Sequence, residues 1–449
     1  MPREPSDPVW DAWAKARPEP GASHPWHPLV YHSLDVAAVG EALARQHASP
    51  LASLAGRLDS NPEPASKLFV FLLALHDIGK LSRPFQAKAP DVWWPTTLLG
   101  ARGGPVPRDP GHPATGAWLL RHGLAGQLAE LLPQWSSSEI NQLLAPFVGH
   151  HGKPVSDSEI AETRISPREL FGRPCLEAAL AFLALMRQLF APQPIQKPER
   201  TALRSSSWSL AGLAVLVDWI GSRQGWFPYA APELNPGAYL TDVARPRAAA
   251  ALRRAGIAPA RPSVVTGFAT LMRGTHRPTP IQRWAEEVAL PEGPFAAFVE
   301  DVTGGGKTEA ALILAHRLLA EDRARGLYLA LPTMATANAM YQHLAASYRR
   351  LFADGETSSL ALAHGSARLD PRFRQSFENM ANPERASERE VEPAAEKDPS
   401  GASCAAWLAD ESRKAFLADI GVGTIDRALL GVLPAKFRRC ACWAWPSGS

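Results

Sequence analysis

Apolar residues in the first 260 positions recur mainly with the spacing of buried helices. The clearest run, KLFVFLLALHDIGKL at residues 67–81, is apolar on nearly every side and predicts a helix buried all round. Gly79 would end this helix as a left-handed C-cap. Because proline- and glycine-rich connectors separate the runs, we expect a mostly helical first domain. Further helices are predicted at residues 35–46, 113–121, 138–148, 175–189 and 208–221.

The pattern changes near residue 261, where short apolar strands begin to alternate with longer helices. This alternation predicts a parallel sheet built from βαβ units. We therefore expect a helical domain at residues 1–260, a linker at 261–275 and an α/β lobe at 276–449. A charged, apolar-poor insertion is predicted at residues 378–401. The predicted strand and helix pairs are 295–300 with 307–321 and 326–331 with 335–352, followed by a strand at 359–363.

Composition narrows the class of protein without identifying it. A net charge of +3 on 449 residues does not by itself predict nucleic-acid binding. No apolar run is long enough to cross a bilayer, and the N-terminus lacks the apolar core of a signal peptide. We expect a soluble cytoplasmic protein with no membrane partner. The cysteines show no paired spacing, which argues against a disulfide framework or a zinc ribbon; they are Cys175, Cys404, Cys440 and Cys442.

Histidines are concentrated early in the chain, with nine of the 13 between His24 and His151. His76 and Asp77 are adjacent at the end of the most apolar run, where a buried carboxylate is costly unless it is paired or binds a metal. His24 and His27, flanked by prolines, are read as loop histidines. Imidazole and carboxylate donors suit Mn, Fe, Ni, Co or Zn. The candidate ligands, each at a helix edge or in an apolar helix, are His32, His76, Asp77, His112, His150, His151 and Asp218.

The contexts of these residues (YHSLDVA, LHDIGK, GHPATGA, GHHGKP and LVDWIGS) resemble the HD nuclease domain of the CRISPR-associated helicase-nuclease of type I interference systems. The resemblance implies an all-α HD-type domain that cuts single-stranded DNA with two divalent metal ions (Mn, Fe, Ni, Co or Mg). It also implies an RNA-guided multi-subunit effector complex as partner. One metal would be held by His32, His76, Asp77 and Asp218, and the other by His112, His150 and His151, with Asp77 bridging.

The same resemblance gives His76 and Asp77 a catalytic role. Lys80, close behind them, would neutralise phosphate charge, and a solvated helix-end lysine is the alternative. A nucleotide phosphohydrolase of the HD type and an inactive nucleotide-binding remnant stay open as other functions.

A second motif, TGGGKT at Thr303–Thr308, lies between an apolar run and a predicted helix. It resembles the phosphate loop of superfamily 2 helicases and predicts ATP bound with Mg. The amides of Gly304, Gly305 and Gly306 would approach the phosphates, Lys307 would reach the outer ones, and Thr308 would face the magnesium.

Neighbouring segments support this interpretation. Gln282 ends RPTPIQ, which resembles the adenine-reading Q motif. Pro332 and Thr333 begin a segment that resembles the motif that binds the DNA backbone. Residues 422–434 resemble the motif before the second acidic box, and the sequence 435–449 carries no such box. We therefore expect a multidomain protein whose α/β RecA-like lobe is incomplete, truncated before the acidic box by a frameshift, so that the chain is not a complete helicase motor.

Overall fold

The computed structural model describes residues 10, 12–46, 49–89, 106–151, 154–156, 158–159, 167–264, 267–271, 277–293, 295–374, 376, 404–409 and 414–429. The chain forms two compact units, Met1–Leu252 and Arg253–Ser449. The predicted insertion at 378–401 and the segment 435–449, with Cys440 and Cys442, lie outside the described residues. No helix in the described ranges is long and apolar enough to span a membrane.

The described part of the first unit contains one short pair of strands, and its other elements are helices. Strands β1 (Trp13–Lys15) and β2 (His27–Pro28) pair antiparallel. The α-helices are α1 (Leu29–Ala44), α2 (Pro50–Arg57), α3 (Pro62–Ala74), α4 (Arg83–Gln86), α5 (His112–Trp118), α6 (Ala125–Leu131), α7 (Ser137–Val148), α8 (Pro167–Leu170), α9 (Gly172–Phe190), α10 (Arg200–Gly221), α11 (Pro236–Ala238) and α12 (Arg245–Ala255). A 3-10 helix covers Ile78–Leu81, and π-helical turns cover Leu119–Gly123 and Tyr239–Ala244.

Helices α1, α3 and α10 form the centre of this unit. α1 is buried without interruption from Leu29 to Gly40, and α10 from Ser209 to Asp218. Their close approach depends on small residues, since a Cβ on Gly221 would lie 2.8 Å from Val36 Cγ2. Polar side chains on these helices are therefore held in an apolar surrounding, where each one requires a partner.

The predicted helix at 67–81 is interrupted. α3 ends at Ala74, His76 and Asp77 lie in the following turn, and the 3-10 helix begins at Ile78. The predicted left-handed cap at Gly79 is wrong, because this glycine does not have a positive φ. A Cβ there would lie 1.9 Å from His112 O and 2.4 Å from Gly116 N, so glycine allows the turn to pack directly on the start of α5. The remaining predicted helices are present with shifted ends, as α1, α5, α7, α9 and α10.

The second unit contains a parallel sheet, as predicted. Its strands are β3 (Leu327–Leu331), β4 (Leu360–Ala363) and β5 (Ile420–Thr424), in the order β3-β5-β4. β5 pairs with both neighbours, Ile420 lying opposite Leu327 and Leu360. The helices are α13 (Phe268–Leu271), α14 (Pro280–Glu287), α15 (Lys307–Ala320), α16 (Met334–Ala345), α17 (Ala406–Ala409) and α18 (Ile425–Leu429). Short 3-10 helices cover Tyr348–Leu351, Ala367–Leu369 and Lys414–Leu417.

The predicted strand at 295–300 is wrong: this segment has no strand conformation and belongs to neither sheet of the described ranges. Its central Phe298 is 89% exposed, so the apolar character of the segment did not lead to burial in the core. Within the predicted linker, Pro262 forms a β-bridge with Phe352, and Phe268 and Leu271 are buried. The predicted domain boundaries, with the helical domain ending at residue 260 and the α/β lobe beginning at residue 276, stay a prediction.

Candidate metal centre

Five segments of the first unit bring the predicted ligands to one place. His32 comes from the first turn of α1, and Asp218 from the last turn of α10. His112 is the first residue of α5. The other ligands follow helices directly: His76 and Asp77 after α3, and His150 and His151 after α7.

The Asp77 carboxylate lies at the centre of the cluster and faces two groups of histidines. Its Oδ2 is 3.0 Å from His32 Nε2 and 3.2 Å from His76 Nε2. Its Oδ1 is 3.2 Å from His112 Nε2 and 3.5 Å from His150 Nε2. Each oxygen therefore serves one group, and the carboxylate is shared between them.

The two groups have the dimensions of metal sites. In one, the donor atoms of His32, His76 and Asp77 lie within 4.8 Å of one another. In the other, the same limit holds for Asp77, His112, His150 and His151. Both groups therefore bring their donors close enough to share an ion.

Asp218 extends the group that contains His32 and His76. Its Oδ1 is 3.8 Å from His32 Nε2 and 3.7 Å from His76 Nε2. The carboxylate is buried, with the residue 8% exposed. The structure therefore places Asp218 beside His32 and His76, and its role as a metal ligand stays a prediction.

Backbone carbonyls orient two of the imidazoles. His76 Nδ1 lies 2.8 Å from Leu73 O, and His150 Nδ1 lies 2.9 Å from Phe147 O. Since a carbonyl only accepts, each Nδ1 donates its proton to it, and each ring is turned so that Nε2 faces the cluster. Among the residues that the structure describes, His76 Nε2 and Asp77 Oδ1 are buried and have no hydrogen-bond partner. Buried imidazole nitrogen and carboxylate oxygen atoms without partners suit a divalent metal ion. The cluster therefore has the side-chain chemistry of a metal site.

Lys80 is buried, only 4% exposed, and its ammonium pairs with Asp77 Oδ2. The alternative of a solvated helix-end lysine is therefore wrong. Burial lowers the pKa of Lys80, and Asp77 opposes that effect. Although burial disfavours the charge of Asp77, Lys80, His76 and His112 hold its pKa well below the ordinary range.

Two histidines of the second group, His112 and His151, are neutral near pH 7. Burial lowers the pKa of His112 to about 4 against the opposing effect of Asp77. His151 is exposed at the edge of the cluster, but desolvation by its neighbours, with His150 and His112 nearby, lowers its pKa to about 3. Neutral imidazole is the form that binds a metal, so these two residues are ready to ligate without losing a proton.

One buried polar group near the cluster was missed by the sequence interpretation. His27, read as a loop histidine, is buried, and its Nε2 lies 2.9 Å from Asp35 Oδ2. Tyr239 donates its hydroxyl to Asp35 Oδ1 at 3.0 Å. Asp35 follows His32 by three residues in α1, and a carboxylate in so apolar a helix was the available signal that it has a partner.

The phosphate loop has the backbone that its glycines permit. Gly304 and Gly306 have φ values of 81° and 91°, and Gly306 precedes the first turn of α15. Lys307 Nζ donates to Asp301 O at 2.7 Å and to Val302 O at 2.8 Å. Thr303 and Gly305 lie in the same turn, and Thr308 in the first turn of α15.

Gln282 and the loop are neighbours. The Gln282 side chain is buried, and its Oε1 accepts from Thr279 N at 2.9 Å in a capping box of α14. A Cβ on Gly306 would lie 2.1 Å from Gln282 Nε2. Thr279 in turn donates to Gly305 O at 2.9 Å. The residues predicted for ATP are thus adjacent.

Pro332 and Thr333 follow the carboxyl end of β3 and are exposed. Thr333 caps α16 by accepting from Thr336 N at 3.2 Å. The DNA contact predicted for this pair stays a prediction, as does the adenine contact of Gln282.

A helical unit with an aspartate shared between two histidine groups, followed by a parallel-sheet unit with a phosphate loop, defines an HD-type metal-binding domain joined to a RecA-like lobe. Residues 13–227 match the family model described as "Cas3, HD domain".

Similarity to known proteins extends over nearly the whole chain. The chain is 33% identical over 437 residues to the CRISPR-associated endonuclease/helicase Cas3 of Thermus thermophilus, and the match covers 96% of this chain and 44% of the relative. It is 29% identical over 455 residues to the Escherichia coli protein of the same description, covering 97% and 49%. The crystal structure of T. fusca Cas3-AMPPNP is similar with a TM-score of 0.73 and 26% identity, covering 99% of this chain and 46% of that one. The chain thus spans about half the length of the relatives it matches.

Proposed function

We propose that the first unit is a two-metal phosphodiesterase that cuts single-stranded DNA. The observation that carries the proposal is the Asp77 carboxylate, whose two oxygens face separate histidine groups. His32, His76, Asp77 and Asp218 would hold one ion, and His112, His150 and His151, with Asp77, the other. Two divalent ions (Mn, Fe, Ni, Co or Mg) would polarise the scissile phosphate, lower the pKa of the attacking water and stabilise the leaving oxygen.

The protein's own groups prepare the site for an anionic substrate. His76 and Asp77 belong to the reacting centre, and the Leu73 carbonyl fixes the imidazole of His76. Lys80 adds a fixed positive charge beside Asp77. A buried ammonium attracts a phosphodiester more strongly than an exposed one, because water screens it less. We therefore assign Lys80 a role in neutralising phosphate charge.

We further propose that the second unit binds ATP with Mg at Thr303, Gly304, Gly305, Gly306, Lys307 and Thr308, with Gln282 near the adenine. The adjacency of Gln282 to Gly306 supports this assignment. It is also supported by the T. fusca Cas3 structures described with AMPPNP and with ATP, which are 26% and 25% identical to this chain. Pro332 and Thr333 are proposed to contact the DNA backbone, since they are exposed at the carboxyl edge of the parallel sheet.

The proposed partner is an RNA-guided multi-subunit complex that displaces a DNA strand. The names of the curated relatives, which are CRISPR-associated, support this proposal. An HD phosphohydrolase acting on nucleotides is the other reaction that the same metal chemistry could serve, and the test of function includes it.

The experiment is cleavage of circular single-stranded DNA by the purified chain with Mn2+ and without ATP. We expect the wild type to cut and a His76→Ala/Asp77→Ala variant to be inactive. His122→Ala, which removes an exposed histidine outside the cluster, should cut like the wild type.

A parallel reaction with nucleoside monophosphates separates the alternatives. Hydrolysis of mononucleotides with no DNA cleavage would replace the proposed substrate. Absence of both reactions in a metal-loaded protein would leave a binding role.

A further inference from the structure

Lys15 is connected to the metal cluster by two hydrogen bonds. Its Nζ donates to Ser222 Oγ at 3.0 Å, and Ser222 Oγ donates to Asp218 Oδ1 at 2.7 Å. That oxygen is the one that lies 3.7 Å from His76 Nε2. A lysine from β1 therefore reaches a proposed metal ligand through a single hydroxyl group.

The chemistry of the groups fixes the direction of this relay. An ammonium group only donates, so Ser222 Oγ accepts from Lys15 and its single proton is directed to Asp218. The serine is also held by its backbone, because Ser222 N donates to Asp218 O at 2.8 Å where α10 ends. The Asp218 carboxylate is thus held by a hydroxyl group that can only donate to it.

A buried glutamine holds β1 in the position that the relay requires. Gln86 Oε1 accepts from Trp13 N at 3.1 Å, and Gln86 Nε2 donates to Trp13 O at 3.0 Å. The side-chain amide therefore pairs with the strand as a neighbouring strand would. The same Nε2 donates to Lys80 O at 2.7 Å. Gln86 is fully buried, and it links the strand that carries Lys15 to the segment that carries Lys80.

The two lysines are matched to the two carboxylates of the cluster. Lys80 pairs directly with Asp77, and Lys15 acts on Asp218 through Ser222. We propose that Lys15 and Ser222 are positioning residues that orient Asp218 for the metal ion shared with His32 and His76. This inference rests on the proposed function, which makes these side chains metal ligands.

Groups that orient a ligand typically change metal affinity by about 10–100-fold when they are removed. We expect Lys15→Met and Ser222→Ala each to weaken one metal site by that factor. The other site, with His112, His150 and His151, should keep its affinity, because none of its ligands contacts the relay in the described residues. The conservative changes Lys15→Arg and Ser222→Thr keep the donor and should restore binding.

The experiment is equilibrium dialysis of the full chain against Mn2+, with bound metal measured by mass spectrometry at increasing free concentrations. Lys67→Met is the matched control, since Lys67 is a partly exposed lysine of α3 that pairs with Glu63. Thermal unfolding of each variant without metal reports on the fold. A purely structural link would lower the unfolding temperature and leave the two affinities unchanged in the folded protein.

The expected result is two bound Mn2+ ions in the wild type and in Lys67→Met, with one site selectively weakened in Lys15→Met and in Ser222→Ala. Equal Mn2+ affinities in the wild type, Lys15→Met and Ser222→Ala would overturn the proposed positioning role. So would a failure of both conservative variants to restore binding. A wild type that binds two ions and does not cut DNA would contradict only the proposed function.

Discussion

At the scale of single residues, the metal cluster depends on one shared carboxylate and on close backbone packing around it. Asp77 follows α3 in a turn, and the next turn packs on the start of α5 at Gly79. His112 is the first residue of α5, so any displacement there moves a ligand. The position of His112 relative to Asp77 is therefore set by a glycine with no chemistry of its own.

Gly79→Ala should destabilise the protein and weaken metal binding. The added Cβ would meet His112 O and Gly116 N, backbone atoms that cannot rotate away, and overpacking of this kind costs about 1–3 kcal/mol or more. Gly126→Ala is the control, because its Cβ would meet nothing within 4 Å and alanine favours the helix by up to about 1 kcal/mol. Thermal unfolding and Mn2+ affinity measure both effects; equal behaviour of the two variants would contradict the packing argument.

Candidate ligands could be proposed from residue types, whereas the residues that hold these ligands in place could not. Histidine and aspartate have side chains that can bind metal, and several of them at helix ends or in apolar helices drew attention to His32 and Asp218 in the sequence. Lys15 and Ser222 are 207 residues apart, and neither residue type indicates a role by itself. Their contact exists only after folding. The burial of Lys80 was likewise undecided until its pairing with Asp77 was known.

At the scale of elements, α7 delivers His150 and His151 from its C-terminal end, so its stability matters to the site. Its N-terminus has a capping box in which Ser136 Oγ accepts from Glu139 N, and Glu139 Oε2 accepts from Ser136 N at 2.9 Å. The backbone and side chain of Ser136, with Lys197, lower the pKa of Glu139 to about 2. The start of α7 therefore depends on an ionised glutamate.

Glu139→Gln should make the start of α7 less sensitive to pH. A depressed pKa in the folded state stabilises α7 above the ordinary pKa of 4.5, and that contribution is lost as the pH falls towards 2. Amide hydrogen exchange of α7 at about pH 6 and at about pH 3.5 should therefore differ less in the variant than in the wild type. Glu130→Gln, at an exposed residue, is the control. An identical pH response in wild type and Glu139→Gln would contradict this account.

Periodicity predicted helices better than strands in this chain. A helix buried all round is recognisable from its own residues, as the run that forms α3 was. The segment 295–300 is apolar in the same way, but a strand requires a partner, and that partner is not encoded locally. The break at the end of α3 was missed for a related reason. The turn that places His76 and Asp77 in the cluster is stabilised by packing on α5, which is distant in sequence.

At the scale of the whole molecule, the two units carry separate chemistry: a metal cluster in residues 1–252 and a phosphate loop in residues 253–449. We expect Lys307→Ala to weaken ATP binding by about 10–100-fold, the usual size of a lost bond to a charged group. The same variant should bind Mn2+ with the affinity of the wild type, and this measurement is the internal control. A fluorescent ATP analogue measures the first effect; unchanged nucleotide affinity would contradict the assignment of the loop.

The most direct test of the central claim is anomalous diffraction from crystals of the protein grown with Mn2+. The arrangement of donors around Asp77 predicts two manganese peaks, one beside Oδ2 near His32 and His76, and one beside Oδ1 near His112 and His150. Two peaks bridged by this carboxylate would establish the two-metal centre. A single peak, or none at the cluster, would contradict it.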